Sequence, residues 1–181
     1  MAAQTYVAFL RGVNLGTQRR VKMAELRELL RSQGYGDVET YLQSGNVVIK
    51  SRLTGAKLEQ SLESQLVEGL GFGVDVLVRS SRELSDVVER NPLVGVATDP
   101  AKYLVTFLRA KPSAEIAARL RAVEVAPEQV VADGRELYSW HPGGVGRSRL
   151  AKLLLPGALG VSASARNWRV VEHLARLASA S

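Results

Sequence analysis

The 181-residue sequence contains no cysteine, and this absence excludes disulfides, thiolate nucleophiles and sulfur-ligated metal sites. Histidine is scarce too, because the only two, His141 and His173, lie far apart without the spacing of metal ligands. A Walker loop and a Rossmann glycine fingerprint are both missing, since Gly12 and Gly16 are too closely spaced for the first. The sequence therefore predicts no metal site and no cofactor.

Long hydrophobic runs are missing as well. The longest, LLLPGALGV, is interrupted by Pro156 and Gly157 and is far shorter than the ~20 residues that a membrane-spanning helix needs. The first residues lead directly into a strand-like pattern, without the charged and apolar regions of a secretory signal. Hydrophobic residues make up 46% of the chain, which is enough for a core in one domain or two small ones. We expect a globular, cytoplasmic protein without a membrane partner.

Acidic residues are missing from two windows of a sequence whose net charge is +6. The first window, residues 1–24, contains Arg11, Arg19, Arg20 and Lys22, and the second, residues 137–171, contains Arg147, Arg149, Lys152, Arg166 and Arg169. A GC-rich genome would favour arginine over lysine with no function attached, but it would not remove the acids. Cations concentrated in this way indicate an anionic partner.

Apolar periodicity predicts the order of elements in the first half of the chain. A strand over residues 5–13 is followed by a helix over residues 22–34 and by a hairpin that turns at Gly45. A second helix, with leucines every four residues, precedes a strand over residues 74–80. The order is β-α-β-β-α-β, which is the ferredoxin-like unit.

The same order restarts in the second half, after a further helix and a loop. A strand, a helix, a hairpin that turns at Gly134, a basic helix and a short extended piece precede a closing amphipathic helix. We therefore predict an α+β fold with two ferredoxin-like (α/β-plait, βαββαβ) subdomains in a pseudo-duplication, each followed by an extra helix. The predicted domains are residues 1–95 and residues 96–181.

The loop after the first strand is the first candidate site. Its glycines present free backbone N–H groups, and the start of the following helix adds partial positive charge, so that anions bind there readily. The alternative is a solvated loop whose glycines only relieve backbone strain. The predicted anion ligands of this loop are Arg11, Gly12, Asn14, Gly16, Arg19, Arg20 and Lys22.

The second candidate is HPGGVGRSRLAK, residues 141–152, where three glycines precede the basic helix. Ser148 is placed to cap that helix, and the guanidinium groups beside it can bind phosphate or carboxylate oxygens in a forked geometry. The alternative is a flexible joint with arginines that face solvent. Further along, Asn167 is expected to cap the last helix, and the arginine before it can reach a ligand. The predicted anion ligands here are Gly146, Arg147, Ser148, Arg149 and Arg166.

No catalytic residue is predicted. Ser44 lies at a hairpin tip without a histidine or lysine base beside it in the sequence. The carboxylates are scattered over helix faces, and no pair of them is placed for acid–base chemistry.

Four stretches resemble the bacterial family known as domain of unknown function 1697: LRGVNLGTQRRVKMAELRELL, YLQSGNVV, GVGRSRL and ARNWRVVEHL. They are spread from one end of the chain to the other. The resemblance implies two α/β-plait subdomains, and because the family has no established activity it supplies no catalytic residues. The chain departs from the family pattern at Thr17, where glycine is usual, and at Ala151, where threonine is usual.

Three functions stay open at this stage. The first is binding of an anionic ligand, such as a nucleotide, a phosphate-bearing metabolite or a nucleic acid backbone, through the basic glycine-rich loops. The second is a small-molecule enzyme that uses the same cleft, and the third is a structural or protein-interaction role. We expect the two basic windows to converge on one anion site in the groove between the subdomains. The sequence leaves the oligomeric state open.

Overall fold

The structure is a computed structural model that describes residues 2–14 and 19–181. The chain forms two four-stranded antiparallel sheets with several helices, so the predicted mixed α+β fold with two subdomains is confirmed at this level. It divides into two compact units, one of Met1–Asp86 with Leu174–Ser181 and the other of Val87–His173. The domain boundary placed at residue 95 stays a prediction.

The first unit contains the first sheet, in which the strands follow the order β2-β3-β1-β4. Every neighbouring pair in that sheet is antiparallel. The chain passes through β1 (Gln4–Arg11), α1 (Met23–Ser32), β2 (Gly36–Tyr41), β3 (Asn46–Ser51), α2 (Gly55–Leu70), β4 (Asp75–Ser80) and α3 (Ser81–Arg90). The part of α3 from Val87 onward belongs to the second unit.

Apolar spacing explains the helices of this unit. In α1, Leu26 and Leu30 lie one turn apart and are both buried, as the sequence pattern predicts. In α2 the leucines at every fourth position are likewise buried, and the helix ends at Gly71 in the left-handed conformation. Between β2 and β3, Gly45 adopts a φ of 75°, which confirms the predicted turn. The buried leucines pack into one core with the apolar residues of β1, β3 and β4.

The second unit contains the second sheet, in the order β6-β7-β5-β8. The predicted turn at Gly134 joins β6 to β7 with a φ of 61°. The chain passes through β5 (Tyr103–Leu108), α4 (Ala114–Ala122), β6 (Gln129–Asp133), β7 (Glu136–Trp140), a 3-10 turn (Val145–Arg147), α5 (Arg149–Leu153), α6 (Pro156–Leu159), β8 (Ala163–Asn167) and α7 (Trp168–Ala180). The part of α7 from Leu174 onward belongs to the first unit.

The basic helix that the sequence predicts over about residues 147–155 is shorter in the structure, where it covers only α5, and a separate short helix, α6, follows it. Pro156 has no backbone N–H to continue α5, so it stands instead at the first position of α6. The predicted cap at Asn167 is confirmed, because its side-chain oxygen accepts a hydrogen bond of 3.0 Å from the backbone nitrogen of Val170. In the described part of the chain, no helix is long and apolar enough to span a membrane.

Candidate anion-binding cleft

Arg11 and Asp75 form one wall of a cleft in the first unit. They lie directly opposite each other because the antiparallel pairing of β1 with β4 matches the last residue of one strand to the first of the other. Their side chains form an ion pair of 3.0 Å and are 43% and 51% exposed. Exposed ion pairs are worth about 0–1 kcal/mol, so a stronger anion can displace the carboxylate from the guanidinium.

Gly12 and Arg19 form the neighbouring part of the cleft. Gly12 adopts a φ of 79°, and a Cβ atom placed on it would lie 3.5 Å from Nη1 of Arg19. The guanidinium carbon of Arg19 also lies 5.7 Å from the centre of the Phe72 ring, within the range of a cation–π contact. The guanidinium of Arg19 is therefore positioned by the ring of Phe72 and lies close to the backbone of Gly12.

The cleft has a volume of about 580 Å³, within the range of small-molecule sites. Two of its lining residues are acidic, Asp75 and Glu63, and Oε1 of Glu63 accepts a hydrogen bond of 2.9 Å from the backbone nitrogen of Val76. The described residues that line it are Arg11, Gly12, Arg19, Glu63, Val67, Gly73, Val74 and Asp75. The described lining thus combines two guanidinium groups with two carboxylates.

The first basic window, which contains no acidic residue in the sequence, has acidic neighbours in three dimensions. Arg11 meets Asp75, and Lys22 forms an ion pair of 3.0 Å with Glu25 just beyond the window. Lys22 and Arg20 are both exposed, and neither is part of the described lining of the cleft. The predicted ligand Gly16 lies outside the described residues.

The side chain of Asn14 makes hydrogen bonds to backbone groups in two parts of the chain. Its amide nitrogen donates hydrogen bonds to the backbone oxygens of Val21 (3.0 Å) and Gln43 (2.7 Å), and its oxygen accepts from the nitrogen of Val21 (2.7 Å). The backbone nitrogen of Asn14 donates to the oxygen of Arg19 at 2.7 Å. These bonds close the loop on itself and join it to the β2–β3 turn, which positions Arg19 for the cleft.

In the second unit, the predicted basic residues lie on an exposed turn. Gly146 and Arg147 belong to the 3-10 turn, Arg149 begins α5, and all three are exposed. Ser148 caps α5 as predicted, because its Oγ accepts a hydrogen bond of 2.7 Å from the nitrogen of Ala151. Ser148 itself is only 3% exposed, so its hydroxyl points away from the solvent that its neighbours meet.

A buried polar network holds this turn, and the sequence did not reveal it. His141 is fully buried, with Nδ1 2.7 Å from Oγ of Ser148 and Nε2 2.9 Å from Oγ of Ser139. Oε2 of Glu128 accepts a hydrogen bond of 3.0 Å from the nitrogen of Leu150. The spacing of Ser139 and His141 places both on one face of a strand, which is the signal that could have suggested the pair.

The hydrogen bonds of the network can all be made by a neutral imidazole. Burial lowers the pKa of His141, and the nearby carboxylate of Glu128 only partly opposes this. Burial would raise the pKa of Glu128, but hydrogen bonds from Ser148 and the nitrogen of Leu150, with His141 close by, lower it. With Nδ1–H donating to Ser148, Nε2 accepts from Ser139, and every group has a partner. Because both hydroxyls are buried, the network positions the turn rather than presenting a nucleophile.

Arg166 is held by its own strand. Its Nη1 donates to Oγ of Ser164 at 2.9 Å and to the backbone oxygen of Ala165 at 2.8 Å. Burial lowers the pKa of Arg166 to about 10, so the guanidinium remains charged at neutral pH. Unlike Arg147 and Arg149, this cation is thus partly withdrawn from solvent.

Comparison with known proteins identifies the family. A family model described as "Protein of unknown function (DUF1697)" matches residues 3–138. The chain belongs to this family. The resemblance found in the sequence is thereby confirmed, and the matched region contains every described residue that lines the cleft.

Two further comparisons bear on the chain. It is similar to the solved structure of a conserved bacterial protein from Streptococcus pneumoniae, with a TM-score of 0.77, 22% identity, and coverage of 98% of this chain and 99% of that one. At this identity the likeness shows a shared fold. A comparison with curated proteins finds no match.

The structure thus brings together part of the predicted site. Arg11, Gly12 and Arg19 line one cleft, and Asn14 positions the loop behind it. The convergence of the first basic window with the second on one site stays a prediction. Glu63 and Asp75, which sequence reasoning missed, come from elements far from the first loop along the chain.

Proposed function

We propose that the cleft at the end of β1 binds a small phosphate-bearing anion. The observation that carries the proposal is that Arg11, Gly12 and Arg19, all predicted from the sequence, line the same cleft of about 580 Å³. Guanidinium groups bind phosphate oxygens in a forked geometry, and a glycine lets a ligand approach the backbone closely. Asn14 contributes by holding the loop that carries Arg19.

The fold proposed for each unit is the ferredoxin-like plait. The strand orders β2-β3-β1-β4 and β6-β7-β5-β8 support it, as does the succession of two βαββαβ connections along the chain. In the first unit this connectivity makes β1 a central strand, so its last residue lies between neighbouring strands where a loop site can form.

The second basic surface supports a further candidate, contact with a nucleic acid backbone. Arg147 and Arg149 are exposed on either side of the buried cap Ser148, and the turn that carries them is anchored by the His141 network. Such contacts would be independent of base sequence and strongly weakened by salt. We propose Arg147 and Arg149 as further anion ligands. Gly146 lies in the turn that connects β7 to them and is part of the same proposed surface.

Titration with inorganic pyrophosphate by calorimetry tests the main proposal. At about 10 mM ionic strength, where screening extends over ~30 Å, the intact protein should bind pyrophosphate in a one-to-one complex. Arg11→Ala and Arg19→Ala should each weaken binding by about ten- to a hundredfold, since a charge-assisted hydrogen bond contributes about 1.5–3 kcal/mol.

Lys22→Ala is the matched control, because Lys22 is an exposed cation of the same window but is not among the described cleft residues. It should leave the affinity for pyrophosphate nearly unchanged. Equal losses in all three variants would show only a general effect of net charge and would contradict the proposed site.

A further inference from the structure

The first unit contains a second cavity, at the other end of β1 from the cleft. Its volume of about 510 Å³ is within the range of small-molecule sites. Ala3, just before β1, and Ser51, at the end of β3, line this second cavity, whereas the cleft lies at Arg11, the last residue of β1. From α2 it is lined by Ser61 and Gln65, which lie one turn apart, on a different side of the helix from the residues that line the cleft.

Gln65 has a buried amide oxygen, Oε1, that accepts no hydrogen bond from the described part of the chain. Such an atom destabilises the folded state, and its presence in a native protein calls for a structural or functional cause. The side chain is half-buried and lines the second cavity. A ligand hydroxyl can serve either atom of the amide, because a hydroxyl both donates and accepts hydrogen bonds. The amide therefore favours a ligand that carries hydroxyl groups.

Two hydroxyl groups of the protein line the same cavity. The phenol oxygen of Tyr35 lies 3.1 Å from Oγ of Ser61, and either oxygen can be the donor. This bond uses one of the two O–H groups, so that the other O–H group and the remaining lone pairs are available to a ligand. Ser61 and Gln65 follow each other on one face of α2, so a ligand with several hydroxyl groups in a row can bind to both.

The charge of the second cavity favours an anion. Its described lining contains two cations, Lys50 and Arg52, and no acidic residue. Lys50 forms an ion pair of 2.6 Å with Asp37, which is not part of that lining. Arg52 is exposed and has no acidic partner among the described residues. The charge that remains for a ligand is thus the single charge of a guanidinium, which one carboxylate matches.

We propose that the second cavity is a binding site for a small polyhydroxy acid. Its hydroxyl groups form hydrogen bonds with the amide of Gln65 and the hydroxyls of Tyr35 and Ser61. Its carboxylate binds the guanidinium of Arg52 in a forked geometry. The site is separate from the cleft, and it does not depend on the phosphate that we propose there.

Three probes separate the contributions of the hydroxyls and the carboxylate. Gluconate has both, hexanoate has the same carbon chain and carboxylate without the hydroxyls, and sorbitol has the hydroxyls without the carboxylate. We expect calorimetry to show that the intact protein binds gluconate about tenfold more tightly than either of the others, because each of these lacks one set of contacts.

Gln65→Leu should bind gluconate about three- to tenfold more weakly and hexanoate as the parent protein does. Its melting temperature should not fall, because Oε1 has no hydrogen bond to lose among the described residues. A merely structural amide would instead lower the melting temperature when it is replaced. Ser61→Ala tests the same wall independently, and it should weaken binding of gluconate by about threefold.

Arg52→Ala should weaken binding of gluconate and of hexanoate alike, by up to about fivefold, and leave sorbitol unaffected. Lys57→Ala is the matched control, because Lys57 is an exposed cation of α2 that is not in the described lining of the second cavity. Equal losses in these two variants would show only an effect of net charge and would contradict the proposed role of Arg52.

Several outcomes would overturn the inference. The first is no binding of gluconate by the intact protein, and the second is equal binding of gluconate and hexanoate. A preference for gluconate that survives in both Gln65→Leu and Ser61→Ala would place the binding site elsewhere. Pyrophosphate should bind to Gln65→Leu as it binds to the parent protein, because the cleft uses other residues, and a loss there would contradict a separate second site.

Discussion

Oε1 of Glu59 accepts a hydrogen bond of 3.0 Å from the backbone nitrogen of Val78. One turn later in α2, Glu63 does the same for Val76. Residues i and i+4 of a helix rise ~6 Å, which matches the ~6.7 Å between alternate residues of a strand. The two glutamates therefore satisfy outward-facing N–H groups of β4, an edge strand of the first sheet, and so protect that edge from other strands.

We expect Glu59→Ala to lower the free energy of unfolding by about 1–3 kcal/mol, because it leaves a buried N–H group without an acceptor. Glu59 is only 5% exposed, so solvent does not replace the lost partner. Urea denaturation would measure the change. Glu68→Ala, an exposed acid of the same helix, should have an effect within about 0.5 kcal/mol. Equal effects of the two variants would show that the contact with Val78 contributes nothing.

The two hairpin glycines should differ in their tolerance of a side chain. Both have positive φ, but a Cβ on Gly45 would lie 2.5 Å from Cγ2 of Val13, whereas the nearest atom to a Cβ on Gly134 would be 3.8 Å away. We expect Gly134→Ala to cost about 1–2 kcal/mol from the left-handed backbone alone, and Gly45→Ala to cost more because atoms must also move. Thermal unfolding would rank the variants, and the reverse order would refute the packing argument.

Stability should fall as the pH is lowered through the range where unfolded histidine titrates. Burial lowers the pKa of His141 in the folded state, so below about pH 6.5 the unfolded chain binds more protons and unfolding is favoured. Urea denaturation at pH 7.5 and pH 5.5 should show this loss in the parent protein and in His173→Gln. In His141→Asn the loss should be smaller, although the variant is less stable throughout. A parent protein whose stability is the same at both values would contradict the assignment.

Two helix caps of the same residue type should have unequal effects on stability. Ser113 caps α4 at an exposed position, while Ser148 caps α5 and also binds the buried imidazole of His141. We expect Ser113→Ala to cost about 0.5–1 kcal/mol, and Ser148→Ala to cost about 2 kcal/mol or more, because it also removes a partner from a buried network. Chemical denaturation of both variants would decide, and equal costs would mean that the bond to His141 is not stabilising.

Local patterns predicted most of the fold. Leucines at helical spacing identified α1 and α2, and glycines with positive φ marked both hairpin turns, because helices and tight turns depend on residues close together in the sequence. The cap at Ser148 was predicted for the same reason. The repeated order of elements then indicated two subdomains, each with its own sheet.

The candidate site depended on contacts that no local pattern contains. The sequence placed Arg11 in a window without acids, yet strand pairing brings Asp75, which is 64 positions away, to within 3.0 Å of it. In the same way, Nδ1 of His141 lies close to Glu128, which precedes β6, and to Ser148, which follows the 3-10 turn. These contacts join residues from separate segments of the chain. The sequence by itself determined the elements and the cations of the cleft. Only the tertiary structure decided their counter-charges, because a sheet pairs residues by register and not by closeness along the chain.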